Sequence, residues 1–229
     1  MGDSHAASLH SGLVEAMPYA NVMQATASSC RPLLASRTVD KAYCASLMSD
    51  VFDRFLPEQL PDVVVIASYW GRSDLANVPP TLKWFAAHGI PVVVIGPMTI
   101  YDMPLPGLLA LAASRHDDNL VESRRVPGRE ALDTWLRAAA DRDGAGFVSM
   151  IETLCHERCT TRTSDDTPLL FDVSHLTPEG ARLVAPAIVA VVEARLARTP
   201  ASKPDVASEG ESGANQAAPN DRGRGATPG

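Results

Sequence analysis

Asp62-Val63-Val64-Val65-Ile66-Ala67-Ser68 decides the fold class. Its core is an unbroken β-branched run with no polar residue alternating through it. Such a run reads as a strand covered on both faces, the environment of a parallel sheet. Ile90-Pro91-Val92-Val93-Val94-Ile95-Gly96 repeats the pattern, and Gly146-Phe147-Val148-Ser149-Met150-Ile151 gives a third strand. Residues 20–27 (Ala-Asn-Val-Met-Gln-Ala-Thr-Ala) are a weaker fourth. Amphipathic, helix-like runs lie between these segments, over 5–16, 40–55, 74–88, 129–142 and 178–197. Thr177 followed by Pro178 is a helix start signal, an N-cap hydroxyl and a proline at the first helical position. Pro186, inside the last run, predicts a kink.

Strands alternating with helices predict an α/β fold, a three-layer α/β/α sandwich around a mainly parallel sheet. Functional groups in such sheets gather at the carboxyl ends of the strands. The foldable part is one domain over 1–197, large enough to bury a core. Residues 198–229 are rich in Pro, Gly, Ser, Ala and charge, with Val206 as the only large aliphatic side chain and no aromatic. That composition predicts a disordered tail.

Two motifs fall on loops where a parallel sheet places chemistry. Gly2-Asp3-Ser4-His5-Ala6 opens the chain ahead of a helix, and Asp172-Val173-Ser174-His175-Leu176 immediately precedes the last helix. Together they supply a serine, a histidine and a carboxylate. A serine hydroxyl is a weak nucleophile until a base takes its proton; histidine is that base, and a carboxylate orients its ring. Neither motif is specific alone. Asp3-Ser4 also reads as a helix cap, and Asp172 with His175 as a polar turn.

The chain has 229 residues and a formal charge of −7, with a pI near 5.3. That balance argues against nucleic acid as a partner. No run approaches the roughly 18 apolar residues of a membrane helix, and the N-terminus lacks the pattern of an export signal. The four cysteines are Cys30, Cys44, Cys155 and Cys159. Pairing Cys30 with Cys44 and Cys155 with Cys159 closes two short loops and is the simplest of three possible connectivities. Disulfides imply an oxidising compartment. Two alternatives stay open: a metal set of Cys155, His156 and Cys159, which lacks a second ligand pair, and buried free thiols. Neither a Gly-rich phosphate loop nor an acidic receiver cluster is present. No metal or cofactor is expected.

The motifs resemble those of the SGNH hydrolases. Gly2-Asp3-Ser4-His5-Ala6 is similar to their first block, and Asp172 through Leu176 to their final Asp-x-x-His block. More narrowly, the chain resembles the SGNH domain fused to acyltransferase-3 membrane proteins, which O-acylate bacterial surface glycans. Several further segments carry this narrower likeness: Ser28-Ser29-Cys30-Arg31-Pro32-Leu33, Pro61 through Trp70, Val94-Ile95-Gly96-Pro97, Leu154-Cys155 through Cys159, and Leu170-Phe171-Asp172 through Ala181. The resemblance covers about residues 2–195. It implies a flavodoxin-like sheet, with Ser4 as nucleophile, His175 as general base and Asp172 as its orienting partner. It also implies a glycan acceptor, an acyl donor and a periplasmic setting beside a transmembrane acyltransferase.

An oxyanion hole is needed for acyl transfer. The Ser4 N–H at the start of a helix is one donor. The segment Ser68-Tyr69-Trp70-Gly71-Arg72-Ser73-Asp74 has no asparagine where the family carries one, so Gly71 is the candidate for a second, backbone donor. Tyr69-Trp70 reads equally as strand-end packing or substrate contact. His5 reads as structural, and His88 as a helix-end residue. The family also places a buried strand before the serine turn, and here only Met1 precedes Gly2. The first strand is therefore expected to be missing, and Met1 to be an internal methionine of a longer protein. The alternative to an acyl-transfer enzyme is an N-terminally truncated, non-catalytic SGNH fragment.

Overall fold

The structure, a computed structural model, describes residues 1–198. The tail expected over 198–229 lies outside these residues, apart from Arg198. Three parallel strands form the regular sheet in the order β1 (Val64–Ile66), β2 (Val92–Ile95), β3 (Gly146–Val148). Val64 pairs with Val92, and Val93 with Gly146. These strands sit inside three of the four expected runs. The last run is cut short because Ser149 accepts a hydrogen bond from the Glu152 N–H (3.0 Å) and caps a helix.

The 20–27 run does not form a regular strand. It meets the sheet only through Gly2, which bridges Thr26 on one side and Ala67 on the other, both in parallel sense. The Gly2 N–H donates to Ala25 O (3.1 Å), and the Ala27 N–H to Gly2 O (3.2 Å). The Ala67 N–H donates to Met1 O (3.2 Å), and the Met1 amino group to Val65 O (2.6 Å). Met1 and Gly2 thus occupy the position expected for the first strand. Counted by chain segment, the order across the sheet is 2-1-3-4-5, a doubly wound arrangement. Gly2 is required there: its φ is +148°, and a Cβ would come within 1.8 Å of Ala67 O.

Helices cover both faces of the sheet. Val93 and Ile95 point into one apolar core, shared with Leu9 and Leu13 of α1 (Ser4–Ala16), Leu105 and Leu108 of α5 (Leu105–Arg115), and Val184 and Ile188 of α9 (Pro178–Arg198). Val92 and Val94 point into the other. That core holds Met48 of α2 (Ala42–Ser49), Leu56 of α3 (Leu56–Gln59), Phe85 of α4 (Val78–Ala87) and Leu136 of α7 (Arg129–Arg142). Burial on both faces is why neither strand shows polar alternation. The short helices α6 (Leu120–Ser123) and α8 (Met150–Leu154) complete the set.

The expected 40–55 helix is α2 followed by a π-helical turn, Asp50–Phe55, and then α3. The expected 74–88 helix begins as a 3₁₀ segment, Arg72–Asn77, and becomes α4 at Val78. Helix α5 was not expected. Its Pro106-Gly107 pair has the look of a turn, although a proline in a first turn is compatible with a helix. Helix α9 runs from Thr177, whose hydroxyl accepts from the Gly180 N–H (3.0 Å), through Pro186 to Arg198. It packs along α1 so closely that a Cβ on Gly12 would lie 2.5 Å from Ala181 backbone atoms.

Both cysteine pairs are disulfides, Cys30–Cys44 and Cys155–Cys159. The metal reading of Cys155 and Cys159 and the free-thiol reading are overturned, since both sulfurs of each pair are bonded to each other. Among the described residues, no helix is long and apolar enough to cross a membrane.

Candidate active site

Asp3 is the N-cap of α1: its Oδ1 accepts from the His5 N–H (2.9 Å). Capping fixes the turn from Gly2 into the helix and sets Ser4 at the first helical position, beside the carboxyl end of β1. The Ser4 N–H is one of the helix-start donors that have no partner within the helix.

The second motif arrives from the loop before α9. Asp172 Oδ1 accepts from the backbone N–H groups of Ser174 and His175, each at 2.8 Å. Its Oδ2 lies 2.7 Å from His175 Nδ1. With the Nδ1 proton directed at Asp172, Nε2 is free to accept from the Ser4 hydroxyl, 2.7 Å away. Burial pushes the Asp172 carboxyl up, but the two N–H groups and the His175 ring more than offset it. The net shift is below the usual carboxylate range, so the aspartate stays ionised beside the imidazole. The chain Ser4–His175–Asp172 has the order and spacing needed to move a proton off a hydroxyl.

Asp3 does more than cap. Its carboxylate is 1% exposed, and Oδ2 accepts from the Ser68 hydroxyl (2.7 Å), the Tyr69 N–H (2.9 Å) and Arg31 Nη1 (2.5 Å). One carboxylate therefore ties the nucleophile turn to the end of β1 and to the Cys30 loop. Arg31 Nε reaches on to Asp74 Oδ2 (3.1 Å). That same oxygen accepts from the Gly71 N–H at 2.8 Å. Gly71, the candidate second oxyanion donor, thus has its N–H committed to capping the 3₁₀ segment rather than open to the site. The physical reason is the carboxylate of Asp74, three residues on, which folds back onto the Gly71 N–H while the Asp74 N–H donates to Gly71 O (3.1 Å).

His5 is buried, at 4% exposure, and neither ring nitrogen has a hydrogen-bond partner. Its ring lies 4.8 Å from that of His175 and edge-on to Tyr69 at 5.4 Å. Burial pushes its pKa down to about 4; Asp3 opposes this, while His175, Arg129 and Arg31 add to it. It is neutral at ordinary pH. Trp70 is fully buried and donates its indole N–H to Ile95 O (2.7 Å), so it belongs to the packing. Tyr69 is 40% exposed, with the Arg31 and Arg129 guanidiniums over its ring at 5.8 and 5.2 Å. Arg129 is itself buried, donating to Met98 O (3.0 Å) and Trp70 O (2.8 Å). His88 is exposed and stacks on Trp84 at a helix end, away from the chemistry.

The cap role of Asp3 was read from the sequence, but its links to Arg31, Ser68 and Tyr69, and the roles of Arg31 and Arg129, were not. Arg129 carried one local signal, a cation in the first turn of a helix where the dipole disfavours it. The pairing of Asp3 with Arg31 spans 28 positions and carried none.

The fold is a doubly wound α/β sheet with Ser4, His175 and Asp172 hydrogen-bonded in line beside it. The chain belongs to the SGNH domain family, in the form described as fused to AT3 domains; the family model matches residues 1–190. The periplasmic domain of the Salmonella ser. Paratyphi A lipopolysaccharide acetyltransferase superposes with a TM-score of 0.72 at 20% identity, covering 82% of this chain and 80% of that one. A GDSL-like lipase from Bacteroides thetaiotaomicron VPI-5482 gives a TM-score of 0.47 at 15% identity, covering 85% and 86%. No curated protein sequence matches the chain.

Proposed function

We propose that this domain carries out serine-dependent acyl transfer, with acetyl as the group, to or from hydroxyls of bacterial cell-surface carbohydrate. The observation that carries the reading is the hydrogen-bonded chain from Ser4 through His175 to Asp172. Ser4 Oγ attacks the carbonyl carbon of the acyl donor while its proton passes to His175 Nε2. The tetrahedral oxyanion is met by the Ser4 N–H at the helix start. The carbonyl re-forms, the donor's leaving oxygen takes the proton from His175, and the acyl group stays on Ser4 as an ester. A sugar hydroxyl then repeats the attack, giving its proton to His175. Ser4 Oγ leaves with that proton, and the acylated sugar departs. Water in place of the sugar gives hydrolysis. Asp172 keeps the ring in the required tautomer and offsets the imidazolium charge.

Family membership supports a transmembrane acyltransferase part as the source of the acyl donor. The periplasmic relative and the two disulfides support an extracytoplasmic site of action. The second reading is a non-catalytic SGNH fragment. It is favoured by the commitment of the Gly71 N–H to Asp74.

Intact mass after treatment with a serine-reactive fluorophosphonate separates the two. Single-site labelling that Ser4→Ala removes is the expected result. A version carrying an apolar strand ahead of Gly2 runs alongside, and absence of labelling in both overturns the catalytic reading.

A further inference from the structure

An open groove starts at the catalytic serine and follows α1. It is lined by serines of α1 (Ser4, Ser8 and Ser11) on one side and by Phe171, Asp172 and His175 on the other. Ser4, Ser8 and Ser11 are spaced i, i+4, i+7, so they share one helix face. The rise from Ser4 to Ser11 is about 10 Å. No Lys or Arg lines the groove among the described residues. Arg31 and Arg129 stand over Tyr69 instead.

Phe171 is the unusual member. It is 58% exposed, yet its backbone is held in place. Its N–H donates to His175 O (3.0 Å), and the flanking residues Leu170 and Leu176 bridge in antiparallel sense. Its ring stacks on the His175 ring, with centroids 5.6 Å apart and planes 14° apart. A single exposed apolar side chain needs no explanation on an ordinary surface. Here a pre-positioned aromatic ring stands over the general base, in a groove whose polar lining, beyond Asp172 and His175, consists of hydroxyls.

We propose that Phe171, with the hydroxyls of Ser8 and Ser11, forms a subsite for a neutral pyranose ring of the acceptor glycan. This rests on the reading of Ser4 as the residue that is acylated. A pyranose has an apolar face of C–H groups and a rim of hydroxyls. The face suits an exposed aromatic ring, and the rim suits small hydroxyl side chains that both donate and accept. The Ser8 hydroxyl donates to His5 O (2.9 Å), which leaves its oxygen to accept from a sugar hydroxyl. A groove that carries the Asp172 carboxylate and no Lys or Arg favours a neutral sugar over a phosphorylated or carboxylated one. Because Phe171 is already held by the turn, little freedom is lost when a sugar stacks on it. The stack on His175 then sets the distance between the bound ring and the base, so the subsite selects which hydroxyl reaches Nε2.

The test uses the full chain in a Ser4→Ala background, so that binding is read apart from chemistry. Cellotetraose and mannotetraose are the neutral probes, and trigalacturonic acid is the anionic control. Binding is followed by saturation-transfer NMR and titration calorimetry. A neutral tetrasaccharide is expected to bind, with Phe171→Leu weakening it about fivefold or more and Phe171→Trp restoring it. Ser11→Trp, an exposed substitution that fills the groove, provides a second variant and is expected to block binding. Affinity unchanged in both Phe171→Leu and Ser11→Trp overturns the proposal. So does binding of trigalacturonic acid alone, or of no saccharide at all. Fluorophosphonate labelling of the Ser4 chain is measured in parallel. Labelling without sugar binding sinks the subsite alone, whereas Phe171-dependent sugar binding without labelling sinks the acyl-transfer reading and leaves the subsite standing.

Discussion

The Ser4 hydroxyl lies 2.7 Å from Nε2 of His175, although 171 residues of chain separate them. The contact exists because α1 and α9 pack along each other, the first beginning at Ser4 and the second just after His175. Asp172 completes the line from the far side of the ring. Asp172→Asn keeps the size of the side chain but removes the charge that fixes the His175 tautomer. The rate of fluorophosphonate labelling is expected to fall about 10²–10⁴-fold, with the far-ultraviolet circular dichroism unchanged. A loss of less than threefold would show that Asp172 is only a turn residue.

Asp3→Ala is expected to destabilise the domain by about 2–3 kcal/mol. Removing one partner of a buried pair leaves the other uncompensated, and here the Ser68 hydroxyl and the Tyr69 N–H also lose their acceptor. The figure is reduced because the Arg31 side chain is 25% exposed and retains Asp74. Urea unfolding measures it. A change below about 0.5 kcal/mol, the range of ordinary surface substitutions, would refute a hub role for Asp3.

His5 makes the domain sensitive to acid. Burial holds its pKa at about 4 in the fold, against 6.5 for a free imidazole. Between those values the unfolded chain takes a proton that the native state refuses. Stability is therefore full above pH 6.5 and falls as pH drops toward 4, by about 3 kcal/mol. Asp172 acts in the same direction lower down, since its carboxyl is held below its usual value and its contribution is lost as pH falls through the folded pKa. His5→Phe is expected to flatten the upper part of this profile in denaturant melts at pH 4.5 and 7.5. An unchanged slope would mean that the buried ring is solvated.

The two disulfides are expected to differ in weight. Cys30–Cys44 spans 14 positions and Cys155–Cys159 only 4. Loop-closure entropy then assigns about 3 kcal/mol to the first and about 2 kcal/mol to the second. Paired Cys→Ser substitutions, compared by thermal melting, test the ranking. The reverse order would show that the 155–159 loop holds structure through contacts other than its own closure.

Much of the sheet was legible because its signal is local. An uninterrupted β-branched run such as 62–68 has few stable homes besides a doubly covered parallel strand. The 20–27 run was misread for a related reason. Its apolar content suggested a full strand, but the neighbour it pairs with is Met1–Gly2, and a ladder extends only as far as both partners do. Helix α5 escaped because Pro106 and Gly107 mask its start. At the site, Ser4, Asp172 and His175 were legible as residue types in order. The commitment of the Gly71 N–H, proposed from sequence as an oxyanion donor, was not, because the competing acceptor, the Asp74 carboxylate, is set by the local fold.

The sequence by itself determined the α/β class, the placement of three parallel strands, the residues that form the Ser–His–Asp line and the simplest disulfide pairing. The strands follow from local periodicity and the short-loop pairing from cysteine spacing, whereas the Ser–His–Asp assignment rests on two short motifs and their resemblance to the SGNH blocks. Only the tertiary structure decided that Asp3 joins three segments through one carboxylate, that His5 is neutral, and that Phe171 stacks on His175 at the mouth of the groove. Such features depend on which buried groups find partners once distant segments meet, and on the low-dielectric surroundings that then fix their charge.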